Sequence, residues 1–304
     1  RLIDTGAFYL SRDLKILRLL KDVWLELYNL DGGTEKGLWR LNGSFHRLIQ
    51  LESITLWISN CDDMTDQALS SLRFKKLVSL QKVSLIFSDC TRLTDRGIRF
   101  LTQGLKGLPC LQKMKLDFWG CPEFGDLGLH FIWEMMKTLP CLRSINLVFS
   151  KCPKMTDAGL DDMNETLKSL TSLRKIKLEF YFCVKITDTG MIYLCEFLKR
   201  FVDLQSLYIY FGNCSEITDI GVGTIVDYMS NQTSLLKIGL DFDDCEKVTD
   251  KSLKKMIQYF EAQSSLEKIT LGILYIYGFT EANYEKFCEN IENLEKQKKN
   301  FCER

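Results

Sequence analysis

An acidic residue returns along the chain at Asp4, Glu35, Asp66, Asp95, Asp126, Asp157, Asp188, Asp219, Asp250 and Glu281, at intervals of 31 residues broken once by an interval of 29. A fixed period of this length leaves few folds open, because each unit is a supersecondary element too small to bury its apolar face except against its neighbours. The acid sits in a short motif, Met155-Thr156-Asp157-Ala158-Gly159-Leu160 in one copy and Ile186-Thr187-Asp188-Thr189-Gly190-Met191 in the next. Apolar residues follow at helical spacing, as Leu160, Met163, Leu167 and Leu170 do. Thr and Asp side chains accept hydrogen bonds from the free amides of a helix start, and a negative charge suits the positive end of the helix dipole, so the motif predicts a helix with the acid as its cap.

After each helix comes Leu-x-x-apolar-x-Leu-x-Phe-x-x-Cys, exemplified by Leu173, Ile176, Leu178, Phe180 and Cys183, whose period of two is the signature of a strand. Strand and returning helix alternate, so the copies are predicted to stack into a parallel sheet backed by helices, a curved α/β solenoid. The pattern resembles leucine-rich repeats of the cysteine-containing and ribonuclease-inhibitor-like class, from Leu2 to about Leu294, with two extra residues ahead of each Cys. That resemblance implies a horseshoe with the sheet on the concave face and helices on the convex face. It also implies one domain over 1–304 of about ten 31-residue repeats. Terminal copies drift: Leu30 replaces the Cys and Gly33-Thr34-Glu35 the motif in one, while Ile276 and Phe279-Thr280-Glu281 do so in another. The 29-residue interval falls between Asp66 and Asp95, where a shorter helix is expected to tighten or twist the stack. Residues 281–304 are expected to form a longer helix, with Tyr284, Phe287, Ile291 and Leu294 at helical spacing, that caps the last repeat or extends outward. The chain opens on Arg1 with the pattern under way at Leu2, as a fragment would.

Lys plus Arg and Asp plus Glu number 40 each, so no net charge steers the whole molecule toward phosphate backbones or anionic lipid; nucleic acid and membrane are not expected partners. No uninterrupted apolar run is long enough to span a bilayer. Of 12 cysteines, Cys61, Cys90, Cys121, Cys152, Cys183, Cys214 and Cys245 share one slot of the repeat, and Cys110 and Cys141 share another in two Leu-Pro-Cys-Leu segments. Repeating thiols read as small packed hydrophobes, reduced, and hence as an intracellular and by preference cytoplasmic chain. Stacked units lie ~5 Å apart, close to a disulfide's Cα separation, so the spacing also allows oxidation between neighbours. There is no Cys-x-x-Cys pair, and the two histidines, His46 and His130, fall in different repeats, so no metal site is expected. Neither a phosphate-cradling loop of the Gly-x-x-x-x-Gly-Lys-Ser/Thr kind nor a Gly-x-Ser-x-Gly elbow occurs. No catalytic residue, cofactor or small-molecule substrate is expected; the chain reads as no enzyme.

Side chains between the buried strand positions should line the open face of the sheet. One column there runs Glu26, Trp57, Ile86, Asp117, Val148, Glu179, Tyr210, Asp241 and Gly272, flanked by Trp24 and Tyr208 on one side and Tyr28, Trp119, Tyr181 and Asp243 on the other. Large rings anchor protein interfaces because one rigid side chain buries much area and keeps a polar handle. The candidates for binding a protein are therefore Trp24, Trp57, Ile86, Trp119, Tyr181, Tyr208, Tyr210, Asp241 and Asp243; the same rings could instead only stack along the strands. Lys82, Lys113, Lys175, Lys237 and Lys268, just before the strands, could form a basic rim or serve solubility alone. The expected function is a protein-binding scaffold or assembly subunit of a larger complex. The alternative is the substrate-recognition region of a ubiquitin ligase, since the repeats also resemble the tails of F-box proteins. An inhibitor that caps an enzyme is a third reading, favoured by an acidic open face.

Overall fold

The computed structural model describes residues 9–28, 34–61, 64–167, 170–263, 265–272 and 289. Asp4, Leu30, Gly33, Tyr275, Ile276, Phe279, Glu281, the side chain of Glu35 and, but for residue 289, the C-terminal helix expected over 281–304 lie outside them. Among the described residues nine strands occur: β1 (Asp22–Tyr28), β2 (Ser53–Ser59), β3 (Lys82–Ser88), β4 (Lys113–Asp117), β5 (Ser144–Val148), β6 (Lys175–Glu179), β7 (Ser206–Tyr210), β8 (Lys237–Asp241) and β9 (Lys268–Gly272). Between them run α1 (Thr34–Phe45), α2 (Asp66–Ser70), α3 (Asp95–Leu105), α4 (Asp126–Met136), α5 (Asp157–Thr166), α6 (Asp188–Leu198), α7 (Asp219–Ser230) and α8 (Asp250–Ala262). The strands form one parallel sheet in chain order, and equivalent repeat positions pair directly: Leu56 with Leu85, Leu85 with Leu116, Leu116 with Leu147. Paired strands need only ~4.8 Å per repeat, whereas packed helices need ~8–10 Å, so the stack curves with the sheet inside and the helices outside.

The core lies between the two layers. Leu56, Leu85, Leu116, Leu147, Leu178, Ile209 and Leu240 point into it from the strands, all fully buried. At the strand ends Phe87, Phe118, Phe149, Phe180 and Phe211 form a continuous file, with neighbouring ring centroids 5.1–6.4 Å apart. The cysteine file runs beside it. Cys121, Cys152, Cys183, Cys214 and Cys245 each donate a thiol hydrogen bond to the carbonyl of a phenylalanine in the preceding repeat, at 3.1–3.4 Å. Burial pushes these thiols up, Cys121, Cys183 and Cys245 to about 12. None of the ten cysteines described forms a disulfide.

The recurring acid is not the helix cap. The residue before it is: Thr94, Thr156, Thr187, Thr218 and Thr249 have extended backbone, and their hydroxyls accept the amide two residues on. The acid instead reaches into the next repeat. Asp157 accepts the Thr187 amide at 2.8 Å and the Thr187 hydroxyl at 2.7 Å, and Asp66, Asp126, Asp188 and Asp219 repeat the pair with Thr94, Thr156, Thr218 and Thr249. Each threonine hydroxyl therefore donates to one repeat while accepting from its own, using the donor and one lone pair of a single group. The motif's glycine makes room for this bond: a Cβ on Gly159 would stand 2.7 Å from Asp126 Oδ1, and one on Gly221 2.5 Å from Asp188 Oδ1.

The 29-residue interval falls on a shortened helix. α2 keeps 5 residues where α3 has 11 and α1 has 12, because two missing residues leave no second turn that could bring Leu72 and Phe74 into the core together. The chain leaves the helix early, and the Phe74 amide bonds the Gly104 carbonyl of α3 instead.

Candidate functional site

The open face of the sheet separates the nine candidates into three groups. In the first, Glu26 on β1 accepts hydrogen bonds from Trp24 Nε1 at 2.8 Å and from the Tyr28 hydroxyl at 3.0 Å, and Tyr28 meets Trp57 of β2 edge to face at 5.6 Å. Trp24 is 67% exposed, whereas Trp57 is half-buried with its Nε1 shielded from solvent and without a hydrogen-bond partner among the described residues. Ile86, expected to face solvent beside Trp57, is buried at 8% exposure, and Asp117 and Val148 in the same column are buried too. In-register neighbours at strand spacing cover the middle of a sheet face, and Ile86 lies directly between Trp57 and Asp117. Ile86 therefore supports Trp57 from the side and offers little surface of its own.

Trp119 stands alone in the second group. It is half-buried after β4, with the ammonium of Lys151 4.3 Å from its ring centroid and the same ammonium 5.6 Å from the ring of Phe182. Lys151 and Phe182 are among six non-glycine residues with positive φ: Asn60, Asp89, Lys151, Phe182, Asn213 and Asp244. Each directly precedes a cysteine of the file, and Gly120 fills the same place before Cys121. The left-handed residue turns the chain off the strand and drops the thiol into the core. The preponderance of Asn, Asp and Gly at this place is a signal that sequence reading could have used.

The third group is compact. Register places Glu179, Tyr210 and Asp241 side by side on β6, β7 and β8, with Lys177 beside Tyr208. The Tyr181 hydroxyl reaches across β7 to donate to Asp241 Oδ2 at 2.6 Å. It can do so because Gly212 lies beneath it: a Cβ there would stand 2.8 Å from the Tyr181 ring. Gly239 likewise leaves space for the Tyr210 hydroxyl, which is 2.8 Å from where its Cβ would be. Tyr210 contacts Tyr181 at 6.1 Å and Tyr208 at 6.4 Å between centroids. Lys177, not among the expected residues, both pairs with Glu179 at 2.8 Å and lies 4.9 Å from the Tyr210 ring centroid, while Lys175 lies 5.4 Å from that of Tyr208. Burial above all, then the bond to Asp241, raises the Tyr181 phenol, and burial with nearby Glu179 takes Tyr210 to about 12. Both phenols are thus neutral donors at any physiological pH. Asp243 is half-buried at the rim of the group, its amide donating to Asp241 Oδ1 at 3.1 Å. Four strand intervals separate Trp57 from this group, ~19 Å at sheet spacing, so the two aromatic ends are distinct surfaces.

Among the described residues no helix is long and apolar enough to cross a membrane. No protein-family model matches the chain, and no curated protein matches it. Solved structures do match. The tropomodulin C-terminal domain of Caenorhabditis elegans aligns with a TM-score of 0.39 at 12% identity, covering 57% of this chain and 94% of that one. A chain of the Rad7 and Elc1 complex in yeast aligns with a TM-score of 0.34 at 13% identity, covering 94% of this chain and 81% of that one. At such scores the fold assignment rests on the strand register and the repeated contacts above, not on these likenesses.

Proposed function

We propose that the chain is a leucine-rich-repeat scaffold of the cysteine-containing class, forming one domain of about ten units. In this reading it has no enzymatic activity and holds a protein partner on the concave face, as a subunit of a larger assembly. The observation that carries this is the Tyr181–Asp241 hydrogen bond across β7, which braces three tyrosines on adjacent repeats into a fixed platform ringed by Lys175, Lys177 and Glu179. Rings held in place before binding lose little freedom on contact, and their hydroxyls keep a polar handle toward the partner. The non-enzymatic part draws on how the reactive groups are used. The repeated carboxylates are committed to threonine amides and hydroxyls, and the file of buried thiols is held far from ionisation. A reducing compartment suits cysteines held outside disulfides.

The test is affinity capture from an extract of the source cells by the immobilised chain, with the Tyr208→Ala/Tyr210→Ala double variant and Lys247→Ala, a surface control beyond the platform, alongside. Both variants should unfold thermally close to the parent. The double variant should lose the partners that the parent and the control retain. Retention of the same proteins by the double variant would remove the platform from the binding surface.

A further inference from the structure

The shortened helix α2 leaves a groove of about 510 Å³ on the helix side of the solenoid, between α1 and the chain that follows α2. Asn42 and the Arg73 backbone close its floor: the Arg73 amide donates to Asn42 Oδ1 at 2.9 Å, and His46 Nε2 lies 2.9 Å from the Arg73 carbonyl oxygen. Trp39 forms a wall and is 69% exposed, an unusual placement for an indole on the polar face of a helix. Lys36 and Arg73 line the same groove.

Several exposed basic side chains stand at its rim. Along the edge where chains enter the strands some basic residues meet acids, Lys21 with Glu52 at 2.8 Å, Arg174 with Asp203 at 2.9 Å and Lys237 with Glu267 at 3.6 Å. Beside the groove Arg47, Arg73, Lys75 and Lys76 are exposed, and among the described residues they meet no carboxylate. Helix C-termini on this edge favour some positive charge, but that holds equally in the repeats whose cations are paired. A neutral chain therefore carries a locally basic surface, and it coincides with the one repeat whose helix is cut short.

We infer that this groove docks an acidic segment of a partner protein, with one apolar or aromatic side chain of the segment seated against Trp39 and its carboxylates facing Lys36, Arg73 and the rim cations. The surface lies on the opposite layer from the tyrosine platform and does not depend on it. Protein is favoured over nucleic acid because the cations surround a short groove with an indole wall instead of following a line of phosphates, and the chain as a whole has no net positive charge to hold a polyanion.

The probe is a fluorescein-labelled polyglutamate peptide with a central phenylalanine, titrated with the full chain and followed by anisotropy. Binding should weaken as salt rises. It should fall about tenfold or more in Trp39→Ala, as removal of an aromatic anchor does, and be lost in Lys75→Glu/Lys76→Glu. Lys247→Ala, far along the stack, should leave it unchanged. All of these side chains are exposed, and circular dichroism of each variant confirms its fold. Absence of peptide binding, binding indifferent to both groove variants, or tighter and equally Trp39-dependent binding of a duplex oligonucleotide or of anionic vesicles would overturn the assignment. So would a concentration-dependent dimer that Trp39→Ala disperses, because a second copy would then be the occupant.

Discussion

At the scale of single residues, one bond explains why the motif is Thr-Asp-x-Gly. Threonine caps its own helix and donates to the previous repeat's aspartate, and glycine yields the space that bond needs. The copy that breaks the rule shows what the hydroxyl does. Gly125 replaces the threonine, so α4 has no side-chain cap and Asp95 receives a backbone amide at 2.8 Å but no hydroxyl. Burial then dominates and raises the Asp95 carboxyl. At Asp219 burial is again the largest influence, but the hydroxyls of Ser252 and Thr249 with their amides outweigh it and hold the carboxyl below its ordinary value. The linkage signs are opposite. Asp219 contributes stability above the ordinary carboxyl range that is lost as pH falls through its lowered value, whereas Asp95 favours the fold when protonated and opposes it as pH rises through its raised value. Gly125→Thr should restore the missing group, since the backbone there is extended and a Cβ would lie 3.7 Å from Asp95 Oδ2. Urea denaturation at neutral pH is expected to show a gain of about 1 kcal/mol, the usual worth of a cap, with the Asp95 carboxyl titrating lower by NMR. A loss would mean that Lys154, 3.2 Å from the new Cβ, cannot give way. The period of this acid was plain in the sequence. Its job was not, because a cap and a bond to the next repeat ask for the same residue types, and only stacking distinguishes them.

Helices and strands were legible where apolar periodicity is strict. What escaped was the covering of the sheet's middle, which buries Ile86 although its position faces the open side; alternation tells which face a side chain takes, not how closely its neighbours crowd it. The helix glycines give an element-scale test with a sign change. Gly43 in α1 has nothing within 4 Å of where a Cβ would be, so Gly43→Ala should stabilise by up to about 1 kcal/mol on helix propensity alone. Gly159→Ala in α5 should do the reverse, because its Cβ would press on Asp126 Oδ1 and on Leu129 at 2.7 Å, inside the contact between helices. Thermal melts of the two variants moving in the same direction would contradict the close-approach account. The cysteine file gives another. In a chain carrying Cys288→Ser and Cys302→Ser, both outside the described residues, only Cys110 and Cys141 are exposed. Native protein at pH 8 should therefore yield two fast thiols to an aromatic disulfide reagent, and the buried file should react only on unfolding, since its thiols are both covered and held un-ionised. Fast modification of further thiols would show that the file opens locally.

For the whole molecule, stability is a sum of unit and neighbour terms, so the weakest neighbour contact decides where the stack comes apart. The sheet layer gives no reason for a break, since β1, β2 and β3 pair over seven residues each. The helix layer does: α2 has 5 residues between partners of 12 and 11, and the groove marks the packing it fails to supply. The first two repeats should therefore open at a lower free energy than the rest. Native-state hydrogen exchange is expected to show weaker protection of β1 and β2 amides than of β6, β7 and β8. The interval itself provides the control. Inserting Ala-Gln after Ser71 restores the missing residues with good helix formers, and should lengthen α2, raise β1 and β2 protection toward that of β6 to β8, and fill the groove. The same insertion should then abolish binding of the acidic peptide while leaving capture through the tyrosine platform intact. If protection rises but peptide binding survives, the groove is a packing defect and not a dock; if protection does not rise, the short helix is not what weakens this end of the stack.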